Sequence, residues 1–205
     1  MIELSSPECP PLESLRRLCV RATESASSAM CRWTGTRIHL GLDEIHEVPL
    51  ENVCTELEIG DDLLTMVVVQ SITDMGAEII LMFNEASSRR LAKCLLGRLP
   101  DGCADWDELE RSALAETGNI LACAYLNVIS ELIGADLLPS PPVLIRDYGA
   151  SVVQQALMAQ AMECDRVLIS RTTFQQEDEQ LDWNVLFIPT DVTRRRIEGT
   201  VCGNP

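Results

Sequence analysis

One lysine, Lys93, stands among 205 residues, and the only run of three cations is Arg194-Arg195-Arg196. Formal net charge is −16 and the isoelectric point is near 4.4. A chain so poor in clustered cations is not built for nucleic acid or an anionic membrane surface, both of which are held by neutralising phosphate. The acidity reads as a solvated surface. Aromatic residues make up only 4% against 46% hydrophobic in total, so the core is expected to be aliphatic.

Long apolar runs are missing too. "MVVV" and "IILMF" fall far short of the ~20 residues a membrane span needs. The opening "MIELSSPECPP" has neither the basic nor the apolar stretch of a secretory leader, and the chain is expected in the cytoplasm. There its nine cysteines would be reduced thiols. No two are spaced C-x-x-C, and His39 and His46 lie apart from any cysteine pair, so no metal site is expected. Cys19, Cys31, Cys94 and Cys123 fall in helical patterns and read as small residues in or near the core. There is no glycine-rich phosphate loop, no G-x-S-x-G and no acidic cluster with ligand spacing. The acidic "QQEDEQ" (175–180) reads as a solvated hairpin turn.

What the chain has is alternation between a period of 3.6 and a period of 2. Residues 12–34 predict a long helix rich in small residues, stopped by Gly35. "RIHLGLDEI" and "LLTMVVVQSI" predict strands, the second joined by "TDMG" to "AEIILMF". A shorter helix follows, with Asn84 as its N-cap and Gly97 as its stop. Asp105 with Glu108 fits a capping box for a second long helix over about 106–133, ended by Gly134. "VLIRDY" predicts a strand, "ASVVQQALMAQAM" a helix, "RVLISRTTF" and "LDWNVLFIP" an antiparallel pair, and "DVTRRRIEGTV" a closing helix.

The order of elements thus repeats across two halves, about 12–98 and 105–198. The expected fold is α/β: one domain of two pseudo-symmetric halves, with a mixed or antiparallel sheet and two long helices packed on one face.

On a helical wheel with Ser112 at 0°, Glu116 falls at about 40°, Asn119 at about 340° and Cys123 at about 20°. Leu114, Leu121, Tyr125, Val128 and Leu132 gather on the opposite side and predict the face laid on the sheet. The ordinary reading of Ser112, Glu116 and Asn119 is the solvated side of an amphipathic helix. Two features point further. The flanks are small or apolar (Ala113, Ala115, Ile120, Ala122), and asparagine is a poor choice in mid-helix because its side chain competes for the backbone. A carboxamide that donates and accepts at once suits the orienting of a water for attack on a phosphoryl group. Without His or metal ligands beside it, such a site needs a partner protein to supply the rest.

At these residues the chain resembles the CheC/CheX/FliY phosphatases of bacterial and archaeal chemotaxis. Their signature is Asp or Ser, three residues, Glu, two residues, Asn, then a distant proline. Ser112, Glu116 and Asn119 fit the first three places, and Pro141 and Pro142, 22 and 23 residues after Asn119, fit the fourth. "LAETGNILACAYLNVISELIG" and "IILMFNEASSRRLAKCLLGR" carry the likeness further, so that it spans most of residues 12–190, within a single CheC-like domain over 1–205. A second copy of the motif usually lies in the family's first long helix. Aligned here, it falls on Glu13, Arg17 and Val20; Arg17 reverses the charge and Val20 cannot orient a water, so the first site is expected to be degenerate.

The resemblance implies a hydrolase acting on the aspartyl phosphate of a CheY-type response regulator. Asn119 would position the attacking water, Glu116 would pair with the regulator's lysine, and Ser112 would support the helix face. No cofactor of its own is implied, since the Mg²⁺ would sit on the regulator. CheD is a candidate second partner, and the chain could act as a monomer or a dimer. The rival reading is a non-catalytic binding module of the same fold. Relatives of the FliY kind carry further segments for the flagellar switch, and an end at Pro205 leads to the expectation of no switch role.

Overall fold

The computed structural model describes residues 11–73, 75–98, 105–149, 151, 153–154, 166–176 and 179–202. Helix α1 (Pro11–Thr34) leads into strand β1 (His39–Pro49), a 3-10 turn (Leu50–Asn52) and the short α2 (Val53–Glu56). The hairpin β2 (Leu63–Gln70) and β3 (Ala77–Asn84) follows, then α3 (Glu85–Leu96). The second half runs α4 (Glu108–Ile133), β4 (Val143–Tyr148), β5 (Arg166–Gln176), β6 (Glu179–Pro189) and a closing helix α5 (Asp191–Cys202). The helix expected over 150–162 falls largely outside the described residues.

The strands form one sheet in the order β1-β5-β6-β3-β2-β4. Every pairing is antiparallel, which settles the mixed-or-antiparallel expectation. Exchanging β1, β2 and β3 for β4, β5 and β6 returns the same order read backwards. Each half therefore lends its first strand to the other half's hairpin: β1 pairs with β5, and β4 with β2. Two halves joined this way share one core and cannot be drawn apart as separate domains.

Alternation sorts side chains to the two faces. Val67, Val69, Ile79, Leu81, Val185 and Phe187 lie under the long helices, while Met66, Ile80, Met82, Ile169 and Leu186 pack on the far face with Val53 of α2. Central β3 is buried on both faces, which is why its sequence is almost unbroken apolar residues.

The core is largely aliphatic, as expected, with several of the sparse aromatics at its centre. Trp183, Tyr125, Phe83 and Phe174 are among the largest fully buried side chains. The Trp183 ring sits 5.3 Å from Phe83 and 5.4 Å from Phe174. A few large rings supply area that many small residues, such as those of α1, do not.

Helix ends follow local chemistry. Gly35, Gly97 and Gly134 take the left-handed conformation that stops α1, α3 and α4. Asn84 Oδ1 accepts from Ser87 N at 2.7 Å, as expected of the α3 N-cap. The α4 cap is a correction. Asp107, not Asp105, closes the capping box, accepting from Glu110 N at 2.8 Å while Glu110 Oε2 accepts from Asp107 N at 3.0 Å. Asp105 instead accepts from Trp106 N and from Arg146 Nη1.

Candidate functional site

Helix α4 is pressed into the molecule. At Gly118 an added Cβ would stand 2.3 Å from Val67 Cγ1, so only glycine allows this approach to β2. Tyr125, fully buried, shares its hydroxyl with Thr23 of α1 and Ser170 of β5, both at 3.3 Å. Burial is the main cause that pushes this phenol above its ordinary range.

The start of α4 is held by charge. Arg146 of β4 reaches both Glu85 oxygens of α3, at 3.2 and 2.8 Å, and Asp105 at 2.9 Å. The Arg89 guanidinium lies over the buried Trp106 ring at 4.8 Å. Arg98 pairs with Asp107. The Glu110 amide and then Arg98 hold the Asp107 carboxyl below its usual range. These contacts fix the helix against α3 and β4 and so fix the direction of its outer strip.

That strip is narrower than the wheel suggests. The expected apolar face is largely seated: Leu114, Leu121, Tyr125 and Val128 are buried, but Leu132 is only half-buried. Burial spreads around the flanks as well, taking in Ala113, Ala122, Leu126 and Ile129. Ser112 is exposed, and Glu116 and Asn119 are half-buried between these flanks. The three share one strip of one rigid helix. Pro141 is exposed and Pro142 half-buried, on the segment that enters edge strand β4. That segment is tied to β2 by Ser140 N donating to Gln70 O at 2.7 Å.

Cys123, expected as a near-core residue, is half-buried, and its thiol donates to Asn119 Oδ1 at 3.6 Å. Burial pushes this thiol up, and the Glu116 charge adds to it. Its place at about 20° on the wheel, one turn after Asn119, was the available signal.

On α1, Arg17 is exposed and Val20 half-buried; Glu13 lies in the first turns of that helix. The stop glycines Gly35 and Gly134 are 99 residues apart, the same offset that relates Glu13, Arg17 and Val20 to Ser112, Glu116 and Asn119. Among the described residues, no group of three or more His, Cys, Asp or Glu side chains could hold a metal ion. No helix among them is long and apolar enough to cross a membrane.

The model of the CheC-like family matches residues 109–146. The putative CheY-P phosphatase CheC1 of Halobacterium salinarum is 20% identical over 146 residues, 71% of this chain and 74% of that protein. The CheY-P phosphatase CheC of Bacillus subtilis is 29% identical over 85 residues, 40% of this chain and 41% of that protein. Among solved structures, Thermotoga maritima FliY superposes with a TM-score of 0.73 at 16% identity, over 98% of this chain and all of that one. The FliM middle domain from H. pylori gives 0.65 at 14% identity, over 98% and 100%. At such identities the structures speak for the fold alone, and the sequence matches liken this chain to CheC proteins.

Proposed function

We propose that this chain is of the CheC type and hydrolyses the aspartyl phosphate of a CheY-type response regulator through the outer strip of α4. One observation carries the reading: the CheC-like match over residues 109–146 takes in Ser112, Glu116, Asn119, Pro141 and Pro142 together. The names of the curated relatives point to the same substrate.

In this reading Asn119 contacts the attacking water and Glu116 meets a cation of the regulator, while Ser112 lines the approach. The water oxygen bonds to phosphorus and the phosphorus–aspartyl oxygen bond breaks. The carboxylate leaves, and the proton passes to a phosphoryl oxygen as inorganic phosphate forms. The regulator brings its own Mg²⁺. This chain contributes orientation, which in favourable cases is worth about 7–11 kcal/mol of barrier. A rigid helix with a glycine-close seat on the sheet suits that task, because an orienting group must not swing. Only the second motif acts, since Arg17 and Val20 cannot replace Glu116 and Asn119.

The test is the rate at which a phosphorylated CheY-type regulator loses phosphate, with the intact protein and with Asn119→Ala. The intact protein accelerates the loss, and the variant gives up at least about 10-fold of that acceleration at unchanged Tm. A variant as fast as the intact protein overturns the water-orienting role.

A second reading, a binding module that holds the regulator or CheD without hydrolysis, is favoured by the degenerate strip on α1. It predicts a stable complex with the phosphorylated regulator and no faster phosphate loss.

A further inference from the structure

The Asn119 amide has to present one particular edge to do what is proposed above. We infer that Cys123 is a positioning residue that fixes the orientation of the Asn119 carboxamide, an inference that rests on the α4 strip being the working site.

The thiol, one turn further along the helix, donates to Asn119 Oδ1 at 3.6 Å, a length suited to sulfur. A carboxamide oxygen has two lone pairs, and this bond uses one. The second is left to accept from a water, and among the described residues no protein group takes the Nδ2 hydrogens. The amide can therefore donate outward and accept outward at once. Without a donor at residue 123, the side chain is free to turn and bond to its own helix backbone, the usual habit of mid-helix asparagine. A cysteine suits the position because a half-buried thiol costs little to desolvate. The upward push on the thiol from burial and from Glu116 keeps it in the protonated, donating form.

Orientation without direct contact has a recognisable signature. In the phosphate-loss assay Cys123→Ala lowers kcat about 3–10-fold, the range expected for one lost neutral hydrogen bond, with KM for the phosphorylated regulator within about twofold. Cys123→Ser restores kcat to within about threefold of the intact protein, because the hydroxyl is again a donor. An independent readout needs no activity: the side-chain amide resonances of Asn119, assigned in nitrogen-15-labelled protein by their loss in Asn119→Ala, shift in Cys123→Ala and return toward their original place in Cys123→Ser.

Unchanged kcat and unchanged Asn119 resonances in Cys123→Ala overturn the inference while leaving the proposed function standing. A loss of kcat that Cys123→Ser does not restore, with unmoved resonances, assigns Cys123 a packing role and also overturns it. Intact protein that fails to accelerate phosphate loss removes the reading on which the inference rests, a distinguishable failure.

Discussion

Helices α1 and α4 hold equivalent places in the two halves and have kept different things. Adding 99 to each residue of α1 that is buried among the described side chains (Leu18, Cys19, Ala22, Thr23, Ala26 and Met30) gives Thr117, Gly118, Leu121, Ala122, Tyr125 and Ile129, every one of them buried. The buried register of α1 is contained in that of α4, which buries further positions besides, such as Ala124 where α1 has the exposed Ser25. The outer strips are not shared: Arg17 and Val20 stand where α4 has Glu116 and Asn119. Even within the shared register the volumes differ, since Ala26 answers to Tyr125 and Cys19 to Gly118. The sheet dictates which side chains go inward, the local neighbour dictates how large each can be, and neither constrains what is shown to solvent.

The sharpest way to break this comparison is at Gly118. Gly118→Val places a branched side chain where even a Cβ meets Val67 at 2.3 Å, and should cost about 3 kcal/mol or more. Cys19→Ala, at the matching place on α1, removes one buried atom and should cost about 1 kcal/mol. Urea unfolding measures both, and equal costs would mean that the two seats are not distinct.

A smaller effect separates the helix starts. Asp107→Ala removes the α4 capping box and the Arg98 pair, and should lower Tm by a few degrees near neutral pH. The Asp107 carboxyl is held below its usual range in the folded protein, so its contribution is complete above the ordinary carboxylate pKa. It is lost as pH falls through the depressed value. The Tm gap between intact protein and variant should therefore close in acid, and a gap constant down to about pH 2 would remove the charge from the explanation.

The smallest effect comes from trying to erase the difference. Arg17→Glu with Val20→Asn copies the α4 pair onto α1. If α1 presents an equivalent surface, phosphate loss rises by no more than about twofold, the gain from doubling the sites. A larger rise, measured in the same assay, would show that α1 was the better platform.

Much of this was legible in the sequence, for reasons that can be named. Gly35, Gly97, Gly134 and Asn84 mark helix ends because those ends are decided by the local backbone. The choice between Asp105 and Asp107 was not local: both stand three residues before a glutamate, and Arg146, 41 positions away from Asp105, claims the first of them. Alternation gave the strands but not their partners, because an apolar face does not say which other strand lies beside it. Hence the exchange of β1 and β4 between halves is visible only in the fold. The four residues of α2 are too few to show a period. On the site itself, spacing brought Ser112, Glu116 and Asn119 to one strip, and Cys123 was at the right angle but was read by its residue type.

The exchanged first strand has a consequence for the making of the protein. His39 finds its partner in Gln175, and Pro49 in Arg166. A ribosome adding about 5–20 residues per second emits roughly 130 residues between the two, so β1 waits on the order of ten seconds as an unclaimed edge. It waits in a form that other chains find hard to use. Asp43, Glu44 and Glu47 lie along it. Charge along a strand discourages stray pairing, and here it guards the nascent chain until its own late strand arrives.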